Sequence, residues 1–229
     1  MTQNKKFNFK VKILDQDTHN ITLEMKNVSI IMANSLRRSS LILVPTMAIE
    51  HIYVYDNTSV MNDQMLSLRI GHIPLVTDLN RYVLPDECDC ESEYGCNNCS
   101  TTLTLNVTSG DDVVTVTSND IKSKDNSSLP VSDNIPITKL VGGQTLTLEM
   151  KATLGRGDTH SKWQAATVAI ATPLDGDESS SILKIESNGQ LPPLTIINES
   201  ISILINKLDI LQEKIKKLEK KTKIKEVKT

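Results

Sequence analysis

Four cysteines, Cys88, Cys90, Cys96 and Cys99, stand within twelve residues as C-x-C-x5-C-x2-C, and the chain has no others. Whatever the rest of the fold, that spacing holds residues 88–99 in one tight loop. Thiolates this close can fill the four corners of a tetrahedral zinc site, with Zn–S distances of about 2.3 Å. The residues between them, Asp89, Glu91, Ser92, Asn97 and Asn98, are polar, and Gly95 is free to take a positive φ. Two disulfides or four free thiols are the bland alternatives, and an iron–sulfur cluster also takes four cysteines. Zinc is preferred over disulfides because Met1 to Asn20 alternates apolar and polar side chains with no apolar run of export-signal length. A reducing, intracellular compartment is therefore expected. With sulfur in every position such a site is structural, since no place remains for an activated water.

At 229 residues the chain can bury one sizeable core or two modest ones without a disulfide for bulk stability. Aromatic residues make up only 3%, which argues against a stacking platform for single-stranded nucleic acid. Charge is unevenly placed. Residues 207–229 hold nine Lys against Asp209, Glu213, Glu219 and Glu226, a net of +5, so the remainder carries −8 of the total −3. An acidic body does not suit a fold that grips DNA directly, and the basic end reads as a solvated tail. No run of about 18 apolar residues occurs, so no membrane crossing is expected.

Hydrophobic period places the elements. Phe7–Leu14 and Ile21–Met25 alternate around the polar Asp15–Asn20 and predict a hairpin of half-buried strands. From Ser29 the spacing becomes helical through Leu43, and Pro45 ends it. Ala48–Tyr55 reads as a strand, Val60–Ile70 as a short helix, and residues 78–100 as the turn-rich cysteine segment. Thr101–Thr108 and Asp112–Thr117 alternate around Ser109-Gly110-Asp111 and predict a second hairpin, followed by an exposed loop over 118–134. Further strands are expected at Thr145–Ala152, Ala165–Ile170 and Ile182–Glu186 before Pro192-Pro193.

The last segment spaces Ile197, Ile201, Leu204, Ile205, Leu208, Leu211, Ile215 and Leu218 by three and four, an amphipathic helix of about three heptads. Burying that stripe is worth on the order of 10 to 20 kcal/mol before ordering entropy is subtracted. It can cover the chain's own sheet or a partner's helix, and spacing does not choose between them.

A search for catalytic residues finds little. His19, His51, His72 and His160 are scattered, with no two-histidine metal spacing and no adjacent nucleophile. Gly155-Arg156-Gly157-Asp158 has the glycines of a phosphate loop but lacks G-K-[ST] and a third glycine. No carboxylate pair or triad stands out.

Four separated segments share one resemblance. Asn34-Ser35-Leu36-Arg37-Arg38, running on to Val44-Pro45-Thr46-Met47-Ala48-Ile49, resembles the N-x-L-R-R helix and V-P-T-x-A-I exit of the alpha-like subunits of multisubunit DNA-dependent RNA polymerases. These are the eukaryotic third-largest subunit, its archaeal counterpart and the bacterial alpha N-terminal domain. Asn57-Thr58-Ser59-Val60-Met61-Asn62-Asp63 and Leu68-Arg69-Ile70-Gly71-His72-Ile73-Pro74-Leu75 are similar to the family's N-T-S-V-x-x-D and L-R-x-G-x-I-P-L. Gly155-x-Gly157-x-x-His160-x-Lys162-Trp163 resembles a G-x-G-x-x-H-x-K-W loop, and Glu186-Ser187-x-Gly189-Gln190-Leu191-Pro192-Pro193 an E-S-x-G-Q-L-P-P segment. All stand in family order.

The resemblance implies an α+β fold. A dimerisation domain of sheet plus helices comes from both chain ends, 1–48 and 174–229, and is interrupted by a mostly β insert domain, 49–173, that carries the zinc loop. It implies a heterodimer with a small alpha-like subunit through Ile201, Leu204, Leu208, Leu211 and Ile215 of the terminal helix. Asn34, Arg37 and Arg38 would face the second-largest subunit, where arginine forks suit carboxylates and carbonyls. Small zinc-bearing subunits would complete the neighbourhood. Magnesium would belong to the large catalytic subunits and not to this chain, and no specific nucleic-acid contact is implied. The eukaryotic relatives' zinc loop is C-x-C-x3-C-x2-C, whereas here the middle spacer has five residues, which lengthens the loop without removing a ligand. The implied role is non-catalytic assembly, with a nuclear setting for a cellular eukaryotic member and a host-cytoplasmic or virion setting for a viral one. The rival reading is a free-standing, zinc-dependent nucleic-acid-binding regulator using the cysteine loop and the basic tail.

Overall fold

A computed structural model of the chain describes residues 8–90, 92, 95–123, 128–174 and 177–226. Phe7 of the first predicted strand, Glu91 of the cysteine loop, 124–127 of the predicted loop and the last three tail residues lie outside the described residues.

Strands β1 (Lys10–Gln16) and β2 (Asn20–Lys26) form the first predicted hairpin, antiparallel and with an irregularity between Ile13 and Asp15. The Asp17 carboxylate closes the turn by accepting the backbone N–H groups of His19 and Asn20, each at 2.7 Å. Those two donors, with the Asn20 amide, hold its carboxyl below the ordinary value. In β2 the period of two is realised, with Ile21, Leu23 and Met25 buried. β1 departs from expectation: all seven of its residues are exposed. The reason is position, because the helices of the chain pack chiefly over the far side of this sheet and leave β1, an edge strand, without cover.

Helix α1 (Ile30–Ile42) begins where expected, with Ser29 as N-cap accepting from the Met32 N–H. Strand β3 (Thr46–Asn57) follows, then α2 (Asp63–Gly71), capped by Asn62, whose side chain accepts the Met65 N–H at 2.9 Å. A 3-10 turn at Pro85–Glu87 leads into the cysteine segment. After it come β4 (Ser100–Thr108), β5 (Val114–Thr117), β6 (Ile121–Ser123), β7 (Pro136–Leu140) and β8 (Thr145–Gly155). The chain ends with β9 (Ala166–Leu174), β10 (Asp177–Ser187) and the 34-residue α3 (Pro193–Glu226).

The strands form antiparallel sheets in the orders β1-β2-β10-β9, β3-β8-β4-β6 and β5-β7. This is the expected α+β class. Two sequence expectations fail here. β4 and β5 are not a hairpin: β4 pairs with β8 and β6, while β5 pairs with β7. The buried Leu103 and Leu105 of β4 favour a central position, and the Ser109 hydroxyl, bonded to the Val141 and Gln144 carbonyls, turns the chain away. Nor is 118–134 simply an exposed loop. Its described part contains β6, with Ile121, Ser118 and Ser128 buried. The serine and asparagine content concealed a strand of three residues, too short to show a period.

Two hydrophobic cores follow the two large sheets. One gathers Met47, Ile49, Leu66, Ile70, Leu103, Leu148 and neighbours from β3 to β8. The other gathers Ile21, Leu23, Ala33, Leu183, Ile185 and Ile196 from both ends of the sequence. Gln190 joins them, donating from Nε2 to the Met47 carbonyl at 3.1 Å while its own carbonyl accepts the Thr77 N–H at 3.0 Å. The Met47 N–H in turn donates to the Thr77 hydroxyl at 2.9 Å.

Candidate metal centre and partner faces

The four cysteines leave the 3-10 turn at Glu87 and return at the start of β4. Their Sγ atoms all lie within 4.8 Å of one another. Cys88 and Cys96 are 3.7 Å apart, Cys90 and Cys99 3.8 Å, and Cys96 and Cys99 3.9 Å. A tetrahedron with metal–sulfur bonds of about 2.3 Å has edges of about 3.8 Å, so the thiols stand at the spacing one zinc-sized ion requires. None is in a disulfide. The thiols lie closer together than the ligands of a cluster of several irons with bridging sulfides.

Local backbone geometry builds the site. The Cys96 N–H donates to Cys99 Sγ at 3.2 Å and the Asn98 N–H to Cys96 Sγ at 3.4 Å, contacts that favour thiolates. The Asn98 N–H is the foremost cause that brings the Cys96 thiol down to about 7. At Cys88 the Cys90 backbone N–H acts in the lowering direction, yet desolvation and the neighbouring thiols together push it up to about 12. Desolvation raises Cys99. One thiol is ready to ionise and two resist, as expected when like charges crowd one point without a cation. Gly95 has φ +76°, and a Cβ there would meet the Ser100 hydroxyl at 2.8 Å and Cys99 Sγ at 3.1 Å, so glycine is required twice over. A cavity of about 400 Å³ beside the loop is lined by Cys90, Cys99, His51, Arg156, Asp158 and Trp163.

The residues expected to meet partners are placed as follows. On α1, Asn34 and Arg38 are exposed, and Arg37, half-buried, donates from Nε to Asn34 Oδ1 at 2.6 Å. On α3, Ile197 is buried in the second core and Leu204 is half-buried, while Ile201, Leu208, Leu211 and Ile215 are exposed. The stripe is thus divided: its first turns pack chiefly against α1, with lesser contact to the sheet, and from Ile205 to Glu219 every side chain is exposed.

Several motif residues hold the scaffold, a role that sequence reading missed. Asn57 donates from Nδ2 to the Met61 carbonyl and to Asp63, and its Oδ1 accepts from Ser59, shaping the entry to α2. Lys162 binds the Ile49 carbonyl at 3.0 Å and the Glu50 carboxylate, and lies 4.3 Å from the centre of the Trp163 ring. His72 and His160, far apart in sequence, come to 5.7 Å between ring centres. His160 Nδ1 accepts the Lys162 N–H and His72 Nδ1 bonds the Leu68 carbonyl, so both rings are oriented by backbone. No helix among the described residues is long and apolar enough to cross a membrane.

Comparison with known proteins agrees with this architecture. Residues 51–175 match the family described as the RNA polymerase Rpb3/RpoA insert domain. Over 159 residues the chain is 42% identical to DNA-directed RNA polymerase subunit Rpo3 of Methanosphaera stadtmanae, covering 69% of this chain and 58% of that one. Identity is 42% with the Rpo3 subunit of Methanosarcina acetivorans, over 68% of this chain and 57% of the relative. It is 47% with that of Pyrobaculum aerophilum, over 60% and 52%. The matched part of the chain thus spans under two thirds of the length of these relatives. They are archaeal, which lends no support to the nuclear and viral settings considered from sequence. On the matched insert domain, which covers more than half of its length, the chain belongs to the Rpb3/RpoA family of alpha-like RNA polymerase subunits.

Proposed function

We propose that the chain is a non-catalytic assembly subunit of a DNA-directed RNA polymerase. It pairs with a small alpha-like subunit through α3 and β1, docks the second-largest subunit through Asn34, Arg37 and Arg38 on α1, and adjoins small zinc-bearing subunits. The observation that carries this reading is the exposed apolar face of α3, with Ile201, Ile205, Leu208, Leu211, Ile215 and Leu218 open to solvent. The edge strand β1 also exposes Val11, Ile13 and Leu14. A helix that buries its first turns and leaves its remaining apolar stripe bare fits a seam with another chain. The proposed division is a dimerisation unit, 1–48 with 174–229, and an insert, 49–173, and two sheets with separate cores support two units. β9, inside the insert bounds, nevertheless pairs with β10 and packs in the core of the terminal unit, and Met47, outside those bounds, packs in the other core. One structural zinc ion is held by Cys88, Cys90, Cys96 and Cys99. Polymerisation and its magnesium belong to the large subunits.

The test is affinity purification of the tagged chain from its native source, with mass spectrometry of what remains bound at moderate salt. Two large polymerase subunits and a small alpha-like chain in fixed stoichiometry are expected. Recovery of the chain alone, or with nucleic acid only, favours the free-standing regulator.

A further inference from the structure

We propose that the ion pair between Arg156 and Glu87 couples the cysteine loop to α1. Through it an ion held by Cys88, Cys90, Cys96 and Cys99 also steadies the C-terminal end of the helix that carries Asn34, Arg37 and Arg38. The coupling rests on the reading of the four thiols as a metal site.

Glu87 ends the 3-10 turn and is bonded in sequence to Cys88, so its position follows that of the first ligand. Its Oε1 lies 3.3 Å from Arg156 Nη2. Arg156 is the first residue past β8 and opens a short, stiff turn, in which the Thr159 and His160 N–H groups both donate to its carbonyl, at 3.0 and 3.4 Å. That turn rests against the last turn of α1. A Cβ on Gly157 would meet the Leu41 carbonyl oxygen at 2.9 Å and Ile42 Cα at 3.1 Å, so the absence of a side chain is what permits the approach. There the Asp158 N–H donates to the Ile42 carbonyl at 3.1 Å. The last carbonyls of a helix have no partner within it, and a donor supplied from another segment satisfies one of them and fixes the end.

The backbone ladder supports the other side of the same connection. Ser100, adjacent to Cys99, pairs with Thr153, and the Trp163 indole N–H donates to the Thr153 carbonyl at 3.2 Å. Between the cysteine loop and the Arg156 turn lies the cavity of about 400 Å³, and the Arg156–Glu87 pair bridges these two segments. Both side chains are partly exposed, at 37% and 63%, so the effect is modest: at most about a five-fold change in the opening of the Asp158 contact.

Amide hydrogen exchange of the full chain, read at Asp158 and Leu43 with and without chelator, tests the coupling, and metal content is measured on the same samples. Leu43 is included because its N–H donates to the Ser39 carbonyl in the last turn of α1. Chelation is expected to speed exchange at both amides roughly two- to five-fold in the native chain and to add little in Arg156→Ala, whose metal-loaded form already exchanges faster. Unchanged exchange at Asp158 and Leu43 after verified loss of metal overturns the proposal, as does a full chelation response in Arg156→Ala. If chelation also strips protection from Leu105 and Leu148, or if the purified chain holds no metal, which fails the metal reading by itself, the as-purified variants decide. Faster exchange in Arg156→Ala restored by the swapped pair Glu87→Arg with Arg156→Glu supports the link, and no difference among them overturns it.

Discussion

The hydroxyls of Ser40 and Ser200 lie 3.0 Å apart in the buried contact between α1 and α3, although 160 residues separate them in sequence. Beside them the Ser39 hydroxyl donates to the Ser200 carbonyl at 3.3 Å. Small polar side chains let the two helices approach closely and satisfy one another where no water reaches. Each hydroxyl has one proton and a carbonyl acceptor in its own helix, Leu36 for Ser40 and Ile196 for Ser200, so a hydroxyl that donates across to the other serine gives up or shares that bond. Ser200→Ala should therefore cost only about 1 kcal/mol. Ser200→Leu forces the helices apart and should cost about 1 to 3 kcal/mol or more. Urea unfolding of the two variants checks the order, and equal midpoints would show that the contact is loose.

Gly155→Ala places a methyl 2.3 Å from the Trp163 ring, far inside contact distance. The ring cannot yield easily, because Lys162 lies over it and its indole N–H is bonded to the Thr153 carbonyl. A loss of about 1 to 3 kcal/mol is expected, with a shift of tryptophan emission towards that of exposed indole. Trp163 is the chain's single tryptophan, so the emission reports on this place alone.

Replacing Cys88 or Cys99 by Ser should lower bound metal from about one ion per chain to near zero and loosen the β3-β8-β4-β6 sheet, while the α3 seam still forms. Acidity should act the same way. Cys96, lowered to about 7, is a thiolate above that pH and regains its proton as the pH falls through it. Cys88, raised to about 12, loses its proton to solvent at neutral pH only when its sulfur binds a metal. Metal uptake should therefore release protons, and retention should weaken on going below about pH 7. Metal analysis after dialysis across a pH series gives the answer, and retention independent of pH would contradict it.

Leu208→Glu with Leu211→Glu should abolish recovery of the small alpha-like partner yet leave the thermal midpoint of the isolated chain nearly unchanged, since both side chains are exposed within it. Arg37→Ala with Arg38→Ala should keep that partner and weaken capture of the second-largest subunit. Sizing chromatography and pull-down with each purified partner separate the two surfaces, and loss of both partners in either variant would show that they are not independent.

The elements with strong periods were legible in the residues alone: α1 from Ser29 to Pro45, β2, β8 and the long terminal helix. The cysteine centre was legible from spacing, because ligands close in sequence need no tertiary information to meet. What the sequence did not disclose depended on distant segments. The alternation in Thr101–Thr108 and Asp112–Thr117 is real, but it cannot reveal that β4 prefers β8 over its neighbour β5. β6 is three residues long and has no period to read. Val11 and Ile13 alternate as a buried strand does, yet the surface that would bury them is not supplied by the described chain. The proximity of His72 to His160 and the tie of Gln190 to Met47 likewise arise from topology.

From Ile205 to Glu219, α3 has every side chain in solvent. Helical structure without tertiary support is marginal at lengths of about 12 to 15 residues, and a lysine-rich, partly apolar stretch of this size gains little from its own propensity. The far end of α3 should thus complete its folding only when another surface arrives, so that its final ordering follows the rate of molecular encounter. The helicity of this region should rise with the concentration of the molecule that covers it and, for the chain by itself, fall on warming well before the two sheets melt.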